Sequence, residues 1–271
     1  FSYYINFYYG SLGLFPLDSL SHFDTGFRIL LGEYPFKDYW VISGPIIDYF
    51  QAIFFYFFGV SWNSYLAHTS FFNLLLTLFT YYFFLELKIN NFYSFFYALF
   101  FSVLAYTTSG TPFVDHHSTF ISLIAVYLVV LNFEKNSKFF CTIIPILFFI
   151  AFFSKQVPSL YIILVCSISI LANIFLEKKF KYIKYYIYGA LISLLIILTI
   201  GHLSGITLQN FLIQYIYYPQ TMGSIRIDNL SFGFKNFFLD FKLIHFLLII
   251  LIGIFAINLL KKKNDYIDID F

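Results

Sequence analysis

Seven apolar runs, at residues 61–85, 92–108, 120–133, 139–153, 159–176, 185–201 and 241–260, follow one another with polar breaks between them. A helix needs about 20 apolar residues to cross the hydrocarbon of a bilayer, with about 17 to 25 tolerated. Two of the runs, 120–133 and 139–153, fall short of that length and suit tilted or partly interfacial packing. Hydrophobic residues make up 60% of the chain and charged residues only 11%. With a mean hydropathy of +0.80, the bulk of such a chain belongs in hydrocarbon rather than water. The expectation is an all-α fold, a polytopic transmembrane helix bundle forming one membrane domain over 1–271. Residues 1–60 read as a first outer loop with juxtamembrane helices, 61–260 as seven crossing helices, and 202–240 as a further outer loop.

The net charge of +2 offers no basic footprint for a nucleic-acid partner. Cys141 and Cys166 each lie inside an apolar run, where cysteine behaves as a small hydrophobe, and their spacing suggests neither a metal site nor a disulfide framework. The chain opens on Phe1, and the apolar stretch 1–15, too short and too broken by glycine to span alone, reads as the tail of a helix that precedes it. No signal-peptide pattern is visible at this start.

The lysines set the sidedness. If the apolar run 45–60 lies in the interface instead of crossing, then Lys88, Lys135, Lys138, Lys178, Lys179, Lys181, Lys184 and Lys261 to Lys263 all fall on one side. Those are ten of the sixteen basic residues, and lysine-rich short loops face the cytoplasm. The opposite, extracytoplasmic side then holds 1–60, the segment "SGTPFVDHH", the segment "SKQVP" and 202–240. A crossing at 45–60 would instead put the two acidic segments, "PLDSLSHFDTGFRILLGEYPFKDYW" and "TPFVDHHST", on opposite faces. The interfacial arrangement unites them and lets them share one site.

Helical spacing sorts the charges of the first outer segment. Asp18 and His22 are four apart and share one face, while Asp24 and Arg28 share another. An acid one turn before a base is an ordinary helix ion pair, which is the simplest reading of Asp24 with Arg28. Asp18, between Pro16 and Ser19, has a helix N-cap as its structural reading, and Asp115 has the same reading before the helix that starts near His116. His116 and His117 also suit headgroup contacts. Imidazole and carboxylate together are compatible with a divalent metal, but adjacent histidines point in different directions and no signature requires a metal here. Lys155 stands between two apolar runs, either as a lysine snorkelling from a helix end or as an anion-binding group at the membrane surface. Arg226 offers a second such charge, and Asn229 with Ser231 forms a short glycosylation sequon.

At this point a longer pattern emerges. The stretch "LDSLSHFDTGFRILLGEYPFKDYWVISGPIIDYFQAIFFYFFGVSW", 17–62, resembles the first outer loop of the membrane glycosyltransferases of the large C-type fold, the group that contains protein O-mannosyltransferases and aminoarabinose transferases. The resemblance rests on an acidic residue after the first helix, a Leu-Leu-x-Gly-like turn at Gly32, a "P(Y/F)xD" step, a proline turn and an apolar run ending in Phe-Gly. It implies an enzyme that takes a sugar from a polyprenyl-phosphate carrier in the bacterial inner membrane. The sugar passes to an acceptor hydroxyl on the extracytoplasmic side, with inversion. By the same resemblance Asp18 is the base and Asp115 stands where the second loop of the family carries its acid. Lys155 and Arg226 would stabilise charge on the leaving phosphate, and His22, Asp24, His116 and His117 would line the substrate. The chain departs from the family where Ser43, Gly44 and Pro45 stand, since many relatives place a lysine before that proline, and at the loop histidines His116 and His117, which its best-known branches do not share.

Other classes compete with this reading. A transporter or flippase of lipid-linked sugars predicts charged residues near the middle of spans, and the apolar runs are almost free of them. An acyl- or phosphotransferase using the histidines of "DHH" would need more polar residues in the inner helices. A purely structural membrane subunit would leave the clustered outer acids unexplained.

Overall fold

The computed structural model describes residues 1–13, 18–105, 110–228 and 233–265. The fold is all-α: 83% of the described residues are helical, and no strand occurs among them. The chain divides into two compact units, Phe1–Pro219 and Gln220–Phe271.

The first unit opens with α1 (Ser2–Leu12), α2 (Asp18–Leu30) and α3 (Ile46–Phe58), and continues with α4 (Trp62–Glu86) and α5 (Asn91–Leu104). Then come α6 (Val114–Lys135), α7 (Lys138–Ser154), α8 (Gln156–Leu176) and α9 (Ile183–Ser204). A short α10 (Leu208–Phe211) runs through a π-helical turn, Leu212–Tyr217, into α11 (Tyr218–Asp228). Local chemistry sets several of these boundaries. Ser61, Asn90 and Ser137 cap α4, α5 and α7 by accepting a backbone N–H of the first turn. Left-handed residues close others: Gly59 ends α3 at φ +79°, and Asn136 ends α6 at φ +50°.

The boundary falls within α11, and the second unit holds its residues from Gln220 onward with α12 (Phe234–Asp240) and α13 (Lys242–Asp265). Within it the rings of Phe237 and Phe238 each lie 5.0 Å from that of His245.

All seven apolar runs are helical in the described residues, and three of the helices, Val114–Lys135, Gln156–Leu176 and Phe180–Ser204, are long and apolar enough to cross a membrane. Helix α4 has the length but buries His68, Thr69, Ser70, Asn73 and Thr80 among its apolar residues. Helices α5 and α7 are apolar but shorter. The run 45–60 forms the 13-residue α3, well below the length of a span. It buries only one face, through Ile47, Asp48, Gln51, Ala52 and Phe55.

Helix α6 packs against α4, α7 and α8, α7 packs against α3, α6, α8 and α9, and α2 lies on α3. Ala125, Leu128 and Val129 of α6 meet Ile144 and Phe148 of α7 and Cys166, Ile170 and Ile174 of α8 in the largest apolar cluster. Cys141 and Cys166 are buried, unbridged members of this interior. The α7–α9 crossing is close because residue 189 is glycine, where a Cβ would stand 2.1 Å from the Thr142 carbonyl oxygen.

Candidate functional site

Helix α3 organises a polar interior. Asp48 and Gln51 are three residues apart and so share its buried face. The Asp48 side chain is 3% exposed, and its Oδ1 accepts the His22 Nδ1–H at 2.8 Å and the Thr25 hydroxyl at 2.6 Å. That contact fixes hydrogen on His22 Nδ1 and leaves Nε2 as the other face of the ring. The approach depends on Gly26, where a Cβ would fall 2.6 Å from Gln51 Cγ. Burying a carboxylate is costly unless donors surround it, and here two donors from α2 do so. The Tyr39 hydroxyl is also buried, with no hydrogen-bond partner among the described residues. Burial first, and the Asp48 carboxylate second, raise its pKa, so it remains an O–H donor.

One turn along α3, Gln51 Oε1 lies 2.8 Å from His68 Nδ1 on α4, and His68 Nε2 lies 3.1 Å from His117 Nε2 on α6. Both imidazoles are fully buried. Phe54 stacks on His68 with centroids 5.0 Å apart, and Phe72 lies 4.4 Å from His117.

At the start of α6, Lys155 clasps Asp115 through both carboxylate oxygens, at 2.6 and 2.7 Å. This pair is part-exposed, and Ser118 anchors it by donating to the Lys155 carbonyl at 3.2 Å. Lys155 occupies an extended residue between α7 and α8. The 42–45 turn is pinned to the same place: Gly44 N–H donates to the Ser154 carbonyl at 3.0 Å, and Gln156 donates to the carbonyls of Ile42 and Tyr215.

An apolar groove of 770 Å³ runs along α7 and α9, with Phe148, Phe149, Leu194 and Leu198 among its walls. At one end its lining turns polar, at Tyr49, His202 and Thr207. There Tyr49 and Ser204 share a hydrogen bond of 3.2 Å. The Lys37 ammonium stands beside Gly205, 3.9 Å from where a Cβ would be.

The residues singled out from sequence are thus distributed over distinct contacts. His22 joins Asp48, and His117 joins His68, while His116 is only partly buried and its ring lies near Phe113 and Phe120. Asp115 and Lys155, read separately as acid and anion-binding cation, are each other's partners. Asp115 is not the cap of α6, because Phe113 holds that position without a side-chain bond and Asp115 falls in the first turn. Asp24 pairs with Arg28 at 2.8 Å, and Arg28 also reaches Glu33 at 2.9 Å. The side chains of Asp18 and Arg226, and the sequon at Asn229, lie outside the described residues.

Sequence reasoning passed over Asp48, Gln51, His68, Lys37 and His202. A signal for the first two existed in "IIDYFQ", where two polar residues at helical spacing interrupt an apolar run. His68, a lone imidazole in the run 61–85, carried a weaker one. The inner helices are accordingly more polar than their runs suggested. No protein-family model, curated protein or solved structure matches the chain.

Proposed function

We propose that this chain is a polytopic membrane glycosyltransferase that moves a sugar from a polyprenyl-phosphate donor to an acceptor hydroxyl at the extracytoplasmic face of a bacterial inner membrane. The observation that carries the reading is the groove between α7 and α9, apolar along its length and polar at one end. Such a groove suits a long lipid chain whose anionic head lies at the rim. By the lysine distribution that rim belongs to the extracytoplasmic side. His202 lines that end, and Lys37, which pairs with Asp38 at 3.6 Å, lies close by at Gly205; in this reading they meet the phosphate, the role expected of Lys155 and Arg226. Lys155 is instead committed to Asp115 and braces the loop that closes on α7.

In this reading the acceptor oxygen attacks the anomeric carbon as the bond from that carbon to the phosphate oxygen breaks. The proton leaves to a base on α2. Asp18 holds that role by resemblance, and His22 lies one turn along the same helix with its ring oriented by Asp48. Cations at the rim stabilise the charge that the departing phosphate acquires.

One observation favours a second reading, transport of lipid-linked sugars: the titratable groups Asp48, His68 and His117 are buried across three helices. The two readings separate in detergent, where there are no two compartments and only a transferase yields a new glycoside.

The groove itself is tested at Gly201, which lines it and where an added Cβ meets no atom within 4 Å. Gly201→Phe should fold normally, fill the groove and raise the KM for the lipid-linked donor by about tenfold, the scale of losing one to two kcal/mol of apolar contact. Gly253→Phe on α13, equally open, should leave KM unchanged. An unaltered KM in the Gly201 variant would remove the groove from the donor site.

A further inference from the structure

Two imidazoles meet inside the bundle with their hydrogen-bonding needs in conflict. His117 Nδ1 lies 3.1 Å from the Phe113 carbonyl oxygen, and His68 Nδ1 lies 2.8 Å from Gln51 Oε1. Both oxygens only accept, so both Nδ1 atoms carry hydrogen. A neutral imidazole has a single N–H, which leaves a lone pair on each Nε2, and these two atoms face each other at 3.1 Å. Two lone pairs at that distance repel, whereas a proton between them makes an N–H···N bond of ordinary length.

We propose that His68 and His117 form a proton-binding site, an imidazolium–imidazole pair that takes one proton from water between its two Nε2 atoms. Release of that proton requires the Gln51 amide to turn over. Its NH2 group then donates to His68 Nδ1, and His68 Nε2–H donates to His117 Nε2. Both states keep the ring positions, so proton uptake needs one amide rotation and no helix movement. Gln51 is free to turn because its Nε2 has no partner among the described residues.

The surroundings suit an intermittent positive charge. The face of Phe54 stacks on His68, and the Phe72 ring lies tilted 4.4 Å from His117; ring faces attract cations. Asp48 stands one turn from Gln51 on α3 as the countercharge. The other charged or titratable groups around the pair are Tyr65 on α4, whose hydroxyl is buried, His22 on α2, His116 and Asp115 on α6, and Lys155, which Asp115 neutralises. Helices α1 and α5 carry tyrosine as their only titratable type, and α7 carries Lys138 and Cys141 in its first turn, at the end away from Lys155. This inference is independent of the glycosyltransferase reading.

The test counts protons directly, by nitrogen NMR of the intact chain labelled with ¹⁵N-histidine in detergent, from about pH 5 to 8, where histidine switches. Signals are assigned by their loss in His68→Gln and His117→Gln. At the acid end the four ring nitrogens of the pair should carry three protons, and at the alkaline end two. Gln51→Glu should raise the midpoint, with proton affinity up by about tenfold or more, because a carboxylate accepts from His68 Nδ1 but cannot turn to donate. Two protons at every pH in the unmodified protein would overturn the proposal, whether or not the Gln51 variant folds. So would a stoichiometric metal ion found by elemental analysis of protein purified without chelator.

Discussion

Gly44→Ala is expected to destabilise the protein by about 3 kcal/mol, the upper end of what overpacking costs. A Cβ at residue 44 would stand 1.6 Å from the Phe153 carbonyl oxygen and 2.1 Å from its carbon. Those are backbone atoms at the end of α7, so relief cannot come from a side-chain rotation. The 42–45 turn would have to lift away, breaking the Gly44 N–H bond to Ser154 and the Gln156 contact with Ile42. Thermal unfolding in detergent measures the effect, with Gly13→Ala as the control, since a Cβ there meets nothing within 4 Å. Equal midpoints for the two variants would mean that the turn does not pack on α7 as described. The space a side chain before Pro45 would need is filled by the Phe153 carbonyl group.

The second large effect concerns the acids of α2 and α3, where turnover and stability should separate. Asp18→Asn keeps capping ability, since asparagine caps a helix about as well as aspartate, but removes the proton acceptor. Sugar transfer should fall by about a hundredfold or more at unchanged stability. Asp48→Asn should act on both. Its amide oxygen can stand in for Oδ1 and accept from both His22 and Thr25, but the change removes the negative charge and brings an NH2 group into a buried position. The expected stability loss is about 1–3 kcal/mol, with a fall in transfer rate because His22 loses the carboxylate that stabilises its protonated ring. Asp24→Asn, which removes only the exposed pair with Arg28, should change neither rate nor folded yield. Turnover with a lipid-linked donor and unfolding of the same preparations supply both readings. A fully active Asp18 variant beside a dead Asp48 variant would move the base to the His22–Asp48 pair. A dead Asp24 variant would break the assignment of faces on α2.

Much of the secondary structure was legible in the chain because it depends on neighbours in sequence. The seven apolar runs are helical, Ser61, Asn90 and Ser137 cap helices, and Asp24 meets Arg28 one turn away. Each follows from the pitch of a helix or from the free amides at its start, which composition and spacing encode. The run 45–60 by itself left open whether α3 spans, and its 13-residue length came from the structure. What only the tertiary structure decided are the contacts between helices. His22 and Asp48 are 26 residues apart in sequence, His68 and His117 are 49 apart, and Asp115 and Lys155 are 40 apart. No periodicity within one helix specifies which face of another it will meet. That depends on small local permissions, such as Gly26 letting α2 close on Gln51 and Gly44 letting a turn settle on α7, which act only once the helices pack together.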